Sequence, residues 1–137
     1  MTAPAVPRPW DLLMVLTAAP YQDEGISSAL LLASAVLDRG ASTQVWTCGW
    51  ASLLTRRELG AGKPRNLRRL SEEYPSTASM IAELLRRHDG RLRWNVCRFC
   101  SAERAAGEHI DGVRLRSPLK MTSLVAECAK TIYVGGS

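Results

Sequence analysis

The sequence lacks the signatures of several common classes of protein. It has neither a Gly-x-Gly-x-x-Gly fingerprint nor a phosphate-binding loop, and the turn after the first predicted strand carries Asp23 and Glu24, which would repel phosphate. No apolar run approaches the roughly 18 residues that a membrane-spanning helix needs. Residues 1–10 hold three prolines and no apolar core, unlike a signal peptide or a membrane anchor. These absences argue against a nucleotide site and favour a cytoplasmic protein that does not contact a membrane.

Potential metal ligands and general bases are also scarce. The chain has two histidines, His88 at a predicted helix end and His109 in a predicted loop, and we expect both to be structural or solvated. A zinc site would need ligands beyond the single Cys-x-x-Cys motif, and a second pair is missing. The two cysteines outside that motif, Cys48 and Cys128, are expected to be buried and inert. The sequence therefore predicts no metal and no cofactor.

Length and composition indicate one globular domain. The chain has 137 residues, of which 46% are hydrophobic and 23% are charged. This size allows one genuine core and is too short for two. We expect a flexible proline-rich segment over residues 1–10 and a single domain over residues 11–137. Four cysteines in a cytosolic domain argue for redox, sulfur or metal chemistry rather than a disulfide framework.

Strand-like and helix-like segments alternate along the chain, which is typical of an α/β fold. This pattern predicts a three-layer α/β/α sandwich around a mainly parallel sheet of about five strands, with the functional crevice at the carboxyl ends of the strands. Strands are predicted at residues 11–17, 42–47, 91–96, 113–116 and 130–134, and helices at 28–37, from 75–77 to 87, 101–106 and 122–128.

The first predicted helix, residues 28–37, is apolar almost all round. A helix with so little polar surface must be covered on two sides, by its own sheet and by something else. We expect the second cover to be another subunit of the same protein.

The most informative stretch is Cys97-Arg98-Phe99-Cys100, between a predicted strand and a predicted helix. Backbone N–H groups at a helix start favour the thiolate, which is the form that attacks sulfur or binds metal. Arg98 and Arg104 should act in the same direction. The alternative is that both cysteines simply fill the core, since free cysteine is often buried.

Basic residues concentrate in one segment, which also contains glycine and proline and reads as a long mobile loop. Such a loop suits an acidic partner or nucleic acid, or it is only a solvated surface. Its six cations, which we predict to dock a partner, are Arg56, Arg57, Lys63, Arg65, Arg68 and Arg69.

Three segments, taken in order, carry a family resemblance. Pro20-Tyr21 precedes a small-residue helix start, Ser27-Ser28-Ala29; the run Trp94-Asn95-Val96-Cys97 ends on a cysteine; and Cys97-x-x-Cys100-x-x-x-Arg104 follows. Together they resemble the DsrE/DsrF/DsrH-like family. TusD-like members deliver the active cysteine from such a strand, and YchN-like members carry Cys-Gly-x-Cys-x-x-x-Arg-Gly. Gln22, Arg98 and Ala105 stand where the family has glycine.

The resemblance implies a flavodoxin-like sandwich assembled into trimers or hexamers. It also implies sulfur carriage: Cys97 accepts a persulfide from a protein donor and passes it to a protein acceptor, which is favoured over nucleic acid as the partner. Cys100 would be a supporting or resolving thiol, Arg98 and Arg104 would stabilise charge, and Tyr21 would line the pocket. Two alternatives stay open: a thiol–disulfide oxidoreductase that uses Cys97 and Cys100, and a non-catalytic oligomeric interaction module.

Overall fold

The computed structural model describes residues 9–22, 24–63, 68, 71 and 73–135. Over these residues the chain forms five strands and four α-helices. In chain order they are β1 (Trp10–Leu16), α1 (Gly25–Asp38), β2 (Thr43–Thr47), α2 (Thr77–Arg87), β3 (Leu92–Cys97), α3 (Arg98–Glu103), β4 (Val113–Arg116), α4 (Met121–Glu127) and β5 (Cys128–Val134). Short 3-10 helices cover Gly49–Leu53, Arg57–Leu59 and Pro118–Lys120.

All strand pairs are parallel, and the strand order is β4-β3-β2-β1-β5. The helices α1 and α2 cover one face, where their apolar side chains pack on Met14, Val45 and Trp94. The helix α4 covers part of the other face, where Leu124 packs with Leu13 and Trp46. This arrangement confirms the predicted three-layer α/β/α sandwich with a parallel sheet.

Local sequence signals explain where the two longest helices begin or end. Ser76 lies just before α2, and its Oγ accepts a hydrogen bond from the Ser79 N–H at 3.0 Å, which is a standard N-cap. After α1, Gly40 adopts a φ of 90° and donates its N–H to the Leu37 carbonyl at 2.9 Å. Glycine adopts this conformation without steric cost, so the chain turns toward β2 there.

The structure moves two sequence boundaries. The buried Trp10 already belongs to β1, so the strand starts one residue before the predicted domain boundary, while residues 1–8 lie outside the described residues. Cys128 is the first residue of β5 and not the end of the last helix, because α4 passes directly into the strand. Among the described residues, none of the helices combines the length and apolar character that a bilayer crossing requires.

Candidate functional site

Cys97 is the last residue of β3 and the N-cap residue of α3. The strand therefore ends with this thiol at the edge of the sheet where the carboxyl ends of the parallel strands meet. This is the edge at which ligands bind in open α/β sheets. Cys100 follows on the first turn of α3, so the two thiols of the Cys-x-x-Cys motif lie side by side.

The thiol of Cys97 is more deeply buried than the sequence suggested, with only 3% of the residue exposed. Burial raises the pKa of Cys97 above its ordinary value, and the hydrogen bond and charge of the Cys100 thiol act in the same direction. The backbone N–H groups of Cys100 and Phe99 oppose this shift. The expected effect of the helix start is therefore present, but burial outweighs it and the net pKa is raised rather than lowered.

A third thiol joins the pair. Thr47 on β2 pairs with Val96 on β3, so Cys48, the next residue, lies beside Cys97 at the same edge. Cys48 and Cys100 pack with Cys97 against one buried apolar cluster, and the Cys100 thiol hydrogen-bonds to Cys48. Cys48 is half-buried and not fully buried as predicted, while burial still raises its pKa above the ordinary value. The sequence signal was its position directly after a strand.

The two arginines expected to stabilise the thiolate have other surroundings. The guanidinium of Arg104 lies 4.8 Å from the ring centre of Trp50 and donates to the Cys100 carbonyl at 3.4 Å. Arg98 is exposed. Neither side chain figures among the main influences on the pKa of Cys97. Trp50 and Phe99 are exposed, so aromatic rings flank the thiols on the surface.

Tyr21 lies apart from the thiols. Its hydroxyl accepts the backbone N–H of Thr77, at the start of α2, at 3.3 Å. It lines a cavity of about 220 Å³ with Lys63, Tyr74 and other residues of the α1 and α2 side, and no cysteine lines that cavity. The structure thus places Tyr21 at this cavity, and its role in the pocket of Cys97 stays a prediction.

The first part of the basic segment is ordered, which corrects the prediction of a mobile loop over residues 56–63. Arg56 forms a β-bridge with His109, and Arg57 donates its backbone N–H to the Glu108 carbonyl at 2.8 Å. Several cations already have partners: Arg56 pairs with Glu58, Arg57 with Asp111 at 2.5 Å, and the ammonium of Lys63 lies 4.6 Å from the Tyr74 ring centre. Arg68 is exposed, and Arg65 and Arg69 lie outside the described residues.

A second group of cations consists of Arg93, Arg114 and Arg116. The sequence did not indicate this group, because its members lie on two different strands. Arg116 pairs with Cys97 in the β3–β4 register, and Arg114 pairs with Asn95 on the same face. The pKa of Arg114 is lowered by burial and by the positive charges of Arg116 and Arg93. The face of the sheet that carries Cys97 is therefore cationic along β3 and β4.

His109 forms a bridge beneath α3. Its Nδ1 lies 2.9 Å from the Thr55 Oγ1, and its Nε2 lies 2.9 Å from the Ser101 Oγ. Burial lowers its pKa, and the positive charge of Arg56 adds to that effect. Because both ring nitrogens have partners, His109 is a structural residue and not a base for the thiols.

The three cysteines of this edge are neighbours without forming a metal-binding group. In the described ranges, no three or more His, Cys, Asp or Glu side chains are grouped so that they could hold a metal ion. What the edge of the sheet does bring together is three free thiols, two exposed aromatic rings and a cationic strand face. This arrangement suits chemistry between sulfur atoms.

Comparisons with known proteins identify the fold. No family model matches the sequence, and no curated protein matches it. Among solved structures, the chain is similar to one described as the crystal structure of ychN protein from E. coli, with a TM-score of 0.72 and 19% sequence identity. The match covers 90% of this chain and 98% of that one. The chain therefore has the fold of YchN over nearly its whole length.

Proposed function

We propose that this chain is a sulfur carrier, in which Cys97 accepts a sulfane sulfur as a persulfide and a partner protein later removes it. The observation that supports this most is the Cys97 thiol at the end of β3, beside Cys100 and the first N–H groups of α3. The YchN-like fold and the YchN-like cysteine run support the same function.

Loading is a balanced exchange. A thiolate of the site attacks the outer sulfur of a donor persulfide; a new S–S bond forms as the donor's S–S bond breaks, and the donor leaves as its thiolate. Further exchange of the same kind between neighbouring thiols places the sulfur on Cys97. No oxidant or reductant is consumed. Cys100 supports the exchange as a neighbouring thiol. We propose a cytoplasmic location, because a reducing compartment keeps such thiols free.

The partners in this proposal are a protein donor and a protein acceptor. We propose that acidic surfaces of these proteins dock on cations at the thiol edge, including those of the basic segment, and that nucleic acid is not the partner. The cationic face of β3 and β4 supports this. We further propose a homo-oligomer, a trimer or a hexamer, because the outer face of α1 exposes Leu31 and Leu32.

The test is to load the protein with a low-mass persulfide, remove the donor, block all thiols and locate the added sulfur by mass spectrometry. Cys97→Ser should lose most of the retained sulfur, Cys100→Ser should keep it with slower turnover, and Cys128→Ser should match wild type. Equal loss in the Cys97 and Cys100 variants would contradict these roles. A Cys97–Cys100 disulfide with a defined potential would instead indicate an oxidoreductase, and neither product would indicate a non-catalytic module.

A further inference from the structure

The three thiols at the edge of the sheet form a row. Cys48 and Cys97 occupy adjacent strand ends, because the register of β2 and β3 puts the residue after Thr47 beside the residue after Val96. Cys100 contacts both, since its thiol hydrogen-bonds to Cys97 and to Cys48. Cys100 is therefore a neighbour of both other thiols, which also act on each other.

Burial differs along this row. Cys97 is 3% exposed, whereas Cys48 and Cys100 are half-buried. A thiol must reach a sulfur atom directly in order to attack it. Because Cys97 is enclosed, an outside thiol meets Cys48 or Cys100 before it meets the sulfur on Cys97.

We infer, on the basis of the sulfur-carrier function proposed above, that Cys48 is the exchange thiol of this site: sulfur stored on Cys97 passes through Cys100 to Cys48, where an outside thiol removes it. The exposed ring of Trp50 lies two residues beyond Cys48 and offers an apolar contact to the molecule that carries that thiol. Cys97 is then the enclosed storage position, and Cys48 is the accessible one.

Each step balances without an external oxidant or reductant. The Cys100 thiolate attacks the outer sulfur of the Cys97 persulfide, so one S–S bond forms at Cys100 and one breaks at Cys97, which becomes the thiolate. The Cys48 thiolate then attacks the outer sulfur on Cys100 in the same way. Burial and the neighbouring Cys100 and Cys97 thiols raise the pKa of Cys48, and the indole of Trp46 opposes that shift. The proton on the transferred sulfur travels with it.

The sequence makes the experiment clean, because trypsin places every cysteine in a separate peptide: residues 40–56 hold Cys48, 94–98 hold Cys97, 99–104 hold Cys100 and 121–130 hold Cys128. The full chain is loaded with a limiting amount of low-mass persulfide, blocked with an alkylating reagent at successive times and digested. Discharge is then followed after addition of reduced glutathione.

In wild type, the added sulfur should appear on the peptides of Cys97, Cys100 and Cys48. Cys48→Ser and Cys48→Ala should retain full sulfur on Cys97, which also shows that they are folded, but release it to glutathione about tenfold more slowly. Cys100→Ser should also slow release and should leave the Cys48 peptide without sulfur. Cys128→Ser is the matched control, because Cys128 pairs with Trp10 at the opposite edge of the sheet and should change nothing.

Two results would overturn parts of this picture, and they are distinguishable. If Cys97 retains sulfur, the Cys48 peptide never carries it and both Cys48 variants discharge at the wild-type rate, then the exchange role of Cys48 is wrong and the carrier function stands. If no cysteine peptide of wild type gains sulfur, the carrier function itself is wrong.

Discussion

Cys97 experiences two opposing influences on its thiol. Burial favours the neutral thiol, while the N–H groups of Phe99 and Cys100 favour the thiolate, and burial is the larger effect. The thiol is therefore less reactive at neutral pH than an exposed cysteine with the same backbone contacts would be. Enclosure also slows the loss of bound sulfur to solvent thiols, which is a useful property in a carrier.

We predict that the alkylation rate of Cys97 by iodoacetamide rises by about tenfold per pH unit and is still rising at pH 9, because only the thiolate reacts and the pKa of Cys97 is raised. The rate is measured on the tryptic peptide of residues 94–98. The control is the same peptide from protein in urea, whose rate should level off near about pH 8.5. If the alkylation rate of the folded protein levelled off at a lower pH than that of the unfolded protein, the direction of the pKa shift would be contradicted.

Cys128 offers a stability test away from the site. Burial raises the pKa of Cys128 to about 11, and the charge of Glu127 contributes. A raised pKa in the folded state means that stability is fully present below the unfolded pKa of about 8.5 and is lost as the pH rises toward 11. We predict that the free energy of unfolding of wild type falls by about 2–3 kcal/mol more than that of Cys128→Ala over this pH range, as measured by urea denaturation. Equal pH dependence in the two proteins would contradict the buried placement of Cys128.

At the scale of elements, α3 depends on contacts far away in the chain. It has only six residues, which is too short to be stable alone. The imidazole of His109 ties Ser101 on this helix to Thr55, which follows the 3-10 helix Gly49–Leu53. These hydrogen bonds fix the helix that carries Cys100.

We predict that His109→Ala lowers the free energy of unfolding by about 2–3 kcal/mol, because it leaves the Ser101 and Thr55 hydroxyls, both in buried residues, without this partner. The pKa of His109 is lowered in the folded state, so its contribution is present above the unfolded pKa of about 6.5 and is lost as the pH falls. The difference in the free energy of unfolding between His109→Ala and wild type should therefore be smaller at pH 5 than at pH 7. A gap that stays constant with pH would show that the imidazole is not buried in its neutral form.

Most elements could be predicted because their signals are local. Apolar runs located the first three strands, the β-branched residues of 130–134 located the last, and Ser76 marked the start of α2 correctly. The junction of α4 and β5 could not be predicted, because no glycine or proline separates Glu127 from Cys128. The composition of residues 56–63 suggested a mobile loop, but their order depends on nonlocal backbone hydrogen bonds such as that from the Arg57 N–H to the Glu108 carbonyl.

The candidate site was predictable in part for the same reason. The position of Cys97 at a strand end follows from the sequence around it. The presence of Cys48 and Arg116 beside it depends on the pairing of β3 with β2 and β4, which no local pattern encodes. The cavity that Tyr21 shares with residues of α1 and α2 could not be predicted either, because it depends on how the loop after β1 packs on these helices.

At the scale of the whole molecule, the outer surface of α1 is unusually apolar. Leu31 is 73% exposed and Leu32 is 42% exposed. Beside them, between α1 and α2, lies a cavity of about 600 Å³ lined by Leu30, Met80 and Leu84 among others. Burying such side chains against another subunit would gain roughly 1.5–3 kcal/mol each.

We predict that the protein is an oligomer and that Leu31→Glu dissociates it, because the charge would lie in the buried centre of the interface. Light scattering measures the mass of each protein against the 15.0 kDa of one chain. Leu119→Glu, at an exposed leucine on a different element, is the matched control and should leave the assembly intact. Wild type that runs as a single chain in dilute solution would contradict the proposed assembly.

The positive charge of the molecule, +5 in total, should act on the rate at which a protein partner meets the thiols. We predict that reversing Arg65, Arg68 and Arg69 to glutamate slows sulfur exchange with an acidic protein partner by about tenfold or more at low salt. The reason is that clustered cations raise the association rate of an acidic partner by roughly this factor or more. Loading by a low-mass persulfide should be unchanged, because it needs no docking. The effect should shrink as salt rises, since charges are screened over about 8 Å at 0.15 M ionic strength.

The matched control reverses the same number of arginines elsewhere, at Arg39, Arg86 and Arg87. Arg39 follows α1, and Arg86 and Arg87 end α2. Because helices in this fold run antiparallel to the strands, these arginines lie at the end of the sheet opposite Cys97. Both triple variants carry the same net charge, so a general loss of attraction would slow them equally. Slower exchange in the first variant alone would indicate docking on the basic segment, whereas equal rates in the two variants would show that only the total charge matters and that the basic segment is a solvated surface.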